Sequence, residues 1–203
     1  MDAEAQNPCT AFNGARCIAS GELAEVAVKA KAAVDKGEQV LIFDDTTSQS
    51  IEVDFRGSAE EVLLRLAQTD GKETAAVSDA PRGPGRPKLG VVAREITLLP
   101  RHWDWLNAQP GGASVALRKL VEEARRTNEG KDRVRQSQEA AYRFMSVMAG
   151  NRPGFEEATR ALFAGHRDRF NQLTEPWPKD IRQHARKLAA EALDGLTAAR
   201  PGS

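Results

Sequence analysis

The stretch "REITLLPRHWDWLNAQPGGASVALRKLVEEARR", Arg94 to Arg126, carries most of the organisation of this chain. Its first residues, with the three before them, are β-branched and apolar, so Val91–Leu99 is expected as a strand. Pro100 suits the first turn of a helix, where its missing N–H would have no partner anyway. That helix is expected to run through Gln109. Trp103 and Leu106 share its inner face; Trp105 cannot join them there and is left for an interface. Pro110, Gly111 and Gly112 break the chain. Ser114–Arg126 then has the period of a second helix, burying Val115 or Ala116, Leu117, Leu120, Val121 and Ala124.

Just upstream, "PRGPGRPKLG" from Pro81 to Gly90 holds three prolines, three glycines, three basic residues and no acid. It closes a linker over residues 69–90. Before that, residues 1–68 read as a small α/β unit. Thr10–Ala19 is expected as a strand. Leu23, Val26, Ala27, Ala30 and Val34 recur at helical spacing in Glu22–Lys36, and Gly37 stops that helix. Val40–Phe43 is a short apolar run that suits a buried strand. Ile51, Val53 and Phe55 alternate with Glu52 and Asp54, so a second strand and a hairpin are expected. Ser58 and Glu61 form a capping box that opens a helix burying Val62, Leu63 and Leu66 and ending near Gln68.

Downstream, Asn128–Gly130 reads as a break. Helices near 132–149, 154–173 and 178–198 follow, with Pro153 and Pro178 at tolerated starts. The expected fold class is α+β. Its parts are an acidic α/β unit (1–68), a linker (69–90), a strand–helix–helix segment (91–130) and a helical tail (131–203). No internal repeat is present.

Bulk composition fits this picture. Of 203 residues, 40% are apolar, 5% aromatic and 29% charged, which implies a modest core and much helix surface. The net charge of zero hides a division: residues 1–80 hold 7 basic and 15 acidic residues, and residues 81–203 hold 22 and 14. A basic half suggests a polyanionic partner, or simple attraction between the halves. No apolar run is long enough to span a membrane, and the N-terminus lacks a signal peptide's apolar segment. Cys9 and Cys17 are the only cysteines. They read as reduced thiols of a cytoplasmic protein.

The strand–helix–turn–helix of Arg94–Arg126 resembles a ribbon-helix-helix module. In that family two chains pair their strands into a ribbon that enters the major groove, and the second helix offers its first amides to a phosphate. The resemblance implies a homodimer, with Gly112, Ala113 and Ser114 at the phosphate. With Ile96 and Leu98 inward, Ala93, Glu95 and Thr97 face outward, and only Thr97 is a good base reader. The shifted register aims Arg94 at DNA but exposes Ile96 and Leu98, and burial normally fixes register.

Gly85-Arg86-Pro87-Lys88 resembles the core of an AT-hook, although Pro84 stands where the hook carries another arginine and Arg82 lies further out. A glycine lets the backbone lie deep in the narrow, negative A·T minor groove, proline keeps the chain extended, and arginine runs along the floor. A stiff linker is the plainer reading. The mixed charges from Arg118 to Arg135 read as a solvated helix face.

Catalytic signals are poor, and neither an enzyme nor a cofactor is expected. His102, His166 and His184 have no ligand spacing. Asp44, Asp45, Glu52 and Asp54 could hold a divalent ion, but read better as the solvated face of a strand. No P-loop, dinucleotide fingerprint or nucleophile motif occurs.

The combination of "IASGELAEVAVKAK", "LIFDD", the Gly85–Arg126 segment and "PGFEEATRALFAGHRDRF" resembles a bacterial domain-of-unknown-function family, DUF2239, over most of residues 10–195. It implies a bacterial cytoplasmic protein and no particular chemistry. The expected function is DNA binding, as a regulator or nucleoid-associated factor favouring A·T-rich DNA. Arg82, Gly85, Arg86, Pro87 and Lys88 are expected in the minor groove, and Arg94 and Thr97 near the ribbon. The alternative is an antitoxin-like or adaptor module that grips a protein through the helical tail or the acidic unit, with 81–90 as a hinge.

Overall fold

A computed structural model describes residues 8–73 and 94–198. The first surprise is local. Thr10–Ala19 is not one strand but a hairpin, β1 (Cys9–Asn13) and β2 (Arg16–Gly21). Gly14, at φ +53°, makes the reversal, a conformation that costs glycine little. The register opposes Ala11 to Ala19 but Phe12 to Cys17, so Ile18 is an extra residue, a β-bulge. β3 (Val40–Asp44) pairs antiparallel on the other side of β1, giving the order β2-β1-β3. Central β1 is buried from Cys9 through Phe12.

The expected strand at 51–55 does not join this sheet. Ile51 N–H still donates to the Ile42 carbonyl at 2.8 Å, and Ser50 bridges Phe43. Beyond that point the guanidinium of Arg65 takes the carbonyls of Asp54 and Arg56, acceptors that a ladder would have used. The alternation itself is real: Ile51, Val53 and Phe55 pack on the core, while Glu52 and Asp54 are exposed.

α1 (Leu23–Val34) lies where its period put it, with Val26, Ala27 and Ala30 buried. α2 (Ala59–Glu73) runs beyond the expected end at Gln68. Its capping box is reciprocal: Ser58 N–H donates to Glu61 Oε2 at 2.7 Å, and Glu61 N–H to Ser58 Oγ at 3.2 Å. Ser58→Ala is expected to lower stability by about 1 kcal/mol in urea unfolding, whereas Ser58→Asp should retain most of it.

Two helix expectations change. α3 (Pro100–Asn107) is followed by α4 (Gly112–Ala149), which is continuous through the expected break at Asn128–Gly130. A helical glycine costs about 1 kcal/mol. Local interactions bridge that site: Asn128 Nδ2 donates to the Ala124 carbonyl, and Arg125–Glu122 and Arg135–Asp132 pair at helical spacing. In contrast, the single helix expected over 154–173 is two, α5 (Phe155–Phe163) and α6 (Arg167–Thr174). Gly165, at φ +69°, ends α5. Gly165 N–H bonds the Leu162 carbonyl and His166 N–H the Ala161 carbonyl, the Schellman pattern. α7 (Lys179–Ala198) completes the chain.

The acidic unit and the helical tail, expected as separate domains, share one core. Phe12 and Phe43 of the sheet meet Phe144 of α4, Phe170 of α6 and Ile181, Ala185 and Ala189 of α7. Ser137 ties α4 to α7: its Oγ donates to the Leu188 carbonyl at 2.6 Å and accepts from Ala192 N–H at 3.0 Å. The described chain therefore divides into a larger unit, residues 8–73 with 130–198, and a smaller one, residues 94–129. Among the described residues no helix is long and apolar enough to cross a membrane.

Candidate functional site

The smaller unit is α3 and the first half of α4, preceded by residues 94–99. Of the strand expected at Val91–Leu99, the described residues 94–99 are neither helix nor strand and belong to no sheet among the described residues. Arg94 and Thr97 are exposed, and so are Glu95 and Ile96. Neither strand register is realised in 94–99, where Ile96 is exposed and meets no partner strand among the described residues. Gly111 and Gly112, at φ +87° and +76°, turn the chain into α4. Gly112 and Ala113 are half-buried and Ser114 is exposed, its Oγ accepting from Arg118 Nη2 at 3.1 Å. Arg82, Gly85, Arg86, Pro87 and Lys88 lie outside the described residues.

Burial in this unit differs from the expectation. Leu106 and Ala116 are buried, but Trp103, Val115, Leu120, Val121 and Ala124 are exposed, as is Trp105. Leu98, Trp105, Leu106, Leu117 and Leu120 line a largely apolar hollow of about 460 Å³, with Arg101 and His102 at its edge. The helical period places these residues correctly on shared faces. What the period does not supply is the second surface that would cover them.

The larger unit holds a polar cluster that sequence reasoning missed. Asp45 was expected on a solvated strand face; its side chain is only 5% exposed. It accepts from Thr10 Oγ1 at 2.6 Å and from Lys187 Nζ at 2.7 Å. The turn that presents it is organised by Asp44, whose Oδ1 accepts from the amides of Thr46 and Thr47. His184, on α7, is buried between the rings of Phe12 and Phe144 at 5.4 and 4.5 Å. Its Nε2 lies 3.9 Å from Asp45 Oδ1, beyond hydrogen-bond reach, and has no partner among the described residues. Asp180, one turn earlier on α7, accepts the Cys17 amide of β2 at 2.9 Å. The available signal was the spacing of Asp180, Gln183, His184 and Lys187 on one stripe of a helix. That spacing does not tell which strand the stripe meets.

Burial sets the electrostatics here. It pushes the Cys9 thiol up to about 11, with Asp45 and Asp44 adding to the effect. Burial and then Asp180 likewise raise Cys17. Both thiols stay protonated at neutral pH and are poor nucleophiles. Burial holds the imidazole of His184 below its ordinary 6.5; Lys187 acts in the same direction and Asp45 opposes them. A folded value below the unfolded one means that the unfolded chain takes up the proton first. Stability is therefore fully present above about 6.5 and is lost as pH falls through the folded value. Urea unfolding between pH 7.5 and roughly 5 should show that decline, and His184→Gln should flatten it.

Comparison with known proteins adds a family and no activity. Neither a curated protein nor a solved structure matches the chain. A family model described as an uncharacterized protein conserved in bacteria does match, over residues 8–189. The chain thus belongs to the bacterial family DUF2239.

Proposed function

We propose that the smaller unit pairs with the same unit of a second chain and binds DNA. In this reading two copies of residues 94–99 form an antiparallel ribbon in the major groove, and the basic arm at Arg82–Lys88 reaches the adjacent minor groove. One observation carries the reading. Residues 94–99, which belong to no sheet among the described residues, run directly into a two-helix unit whose large apolar side chains are exposed, with Ile96 at 56%, Trp105 at 53% and Val121 at 63%. Apolar area of this kind on one small unit marks an interaction surface. An isologous contact would cover both copies at once and supply the missing strand partner. Ile96 and Leu98 would turn into the shared core, Thr97 would face the bases, and the amides at Gly112–Ser114 would meet a phosphate.

The reading is tested by fluorescence anisotropy of A·T-rich and G·C-rich duplexes with the intact protein over a salt series. Binding should weaken steeply with salt, by roughly 0.9 in log K per log salt for each phosphate contact. Arg86→Ala should weaken A·T-rich binding most and lower the slope by about 1 per arm. An unchanged Arg86→Ala variant would make 81–90 a hinge. Absence of binding at low salt would turn attention to a protein partner for the exposed apolar face.

A further inference from the structure

The larger unit contains a cleft of about 210 Å³ between the β1–β2 hairpin and α7. It plays no part in the DNA reading. One wall is the stripe of α7 formed by Asp180, Gln183, His184 and Lys187; the other carries the hydroxyls of Thr10 and Ser20, 3.1 Å apart. The two charged groups that line it have opposite sign. Asp180 lies in the first turn of α7 and Lys187 two turns later, about 10 Å along the axis. Each retains hydrogen-bonding capacity. Asp180 Oδ2 accepts from the Cys17 amide, leaving Oδ1. Lys187 gives one of its three N–H groups to Asp45, and its side chain is 60% exposed.

His184 belongs to the same wall and is 7% exposed; its Nε2 is buried and has no hydrogen-bond partner among the described residues. Thr10 Oγ1 donates to Asp45 and pairs with Ser20 Oγ, so the two hydroxyls fix the wall opposite the helix.

We propose that this cleft binds a small zwitterion of the amino-acid class, its ammonium on Asp180 and its carboxylate on Lys187, with Gln183 and Ser20 bonding the atoms between. A molecule bearing a single charge would satisfy one end and leave the other to water. The carboxylate end makes Lys187 bridge two acceptors, Asp45 and the ligand, which its three donors allow.

The test is a ¹H–¹⁵N titration of the intact protein with glycine and γ-aminobutyrate, which differ in charge separation, against butylamine and butyrate, which carry one charge each. At least one zwitterion should move the amides of Cys17, Ser20 and Gln183 saturably. Butylamine and butyrate should each bind about tenfold or more weakly, the worth of one charge-assisted contact. Asp180→Asn retains an acceptor for the Cys17 amide, so the fold should hold while the zwitterion weakens about tenfold. The proposal is overturned if neither zwitterion saturates, if a singly charged molecule binds as tightly, or if Asp180→Asn changes nothing. None of these outcomes bears on DNA binding, which is measured on the other unit.

Discussion

Phe144→Ala is expected to destabilise the larger unit by about 3–5 kcal/mol, the largest single effect in this protein. Phe144 is fully buried on α4. Its ring lies 5.3 Å from Phe12, 5.3 Å from Phe43 and 4.5 Å from His184. It therefore touches the central strand, the edge strand and α7 together. Removing it forfeits the transfer free energy of a ring and its edge-to-face contacts, and leaves a cavity that three separate elements would have to close. Denaturant unfolding followed by Trp177 fluorescence reports on this unit, since Trp177 belongs to the same core. Phe144→Leu should recover about half of the loss.

On the proposed pairing of the smaller units, Leu120→Glu is expected to weaken self-association by about 100-fold or more, since it would put a charge into a contact that must exclude water. Leu120 is 42% exposed in the single chain and lines the apolar hollow with Leu98, Trp105 and Leu117. An exposed leucine contributes little to the stability of one chain, so helix content should survive the change while sedimentation equilibrium shifts to the monomer. A Leu120→Glu variant that sediments like the parent chain would mean that this face does not pair. Arg118, whose guanidinium bonds Ser114, makes a control: Arg118→Gln should leave self-association intact.

The sequence revealed what is decided within a few residues of itself. α1, the Ser58–Glu61 capping box and the turn at Pro110–Gly112 depend on period, cap chemistry and backbone freedom, all local. So did the alternation of Ile51, Val53 and Phe55. Whether that alternation became a strand depended on Arg65, which lies on another element and captures the carbonyls of Asp54 and Arg56. Asn128–Gly130 looked like a break because Asn128 and Gly130 are weak helix formers, but helix cooperativity and neighbouring pairs outweigh so small a penalty.

The polar cleft was illegible for a different reason. Asp45 and Lys187 are 142 positions apart, and Cys17 and Asp180 are 163 apart. Their meeting follows from packing α7 onto the sheet through Phe12, Phe144 and Ile181. No window of sequence contains both partners, and the division into an acidic unit and a separate basic tail concealed that the two share a core. The smaller unit shows the converse case. Its two helices were readable, but their burial was not, because helical period marks a shared apolar face without saying what covers it.

The most direct test of the central claim is the stoichiometry of the complex with DNA. Sedimentation velocity of the intact protein with a labelled A·T-rich duplex at low salt should show two chains per duplex, and Leu120→Glu should remove the complex. One chain per duplex, or no complex at all at low salt, would contradict the paired ribbon.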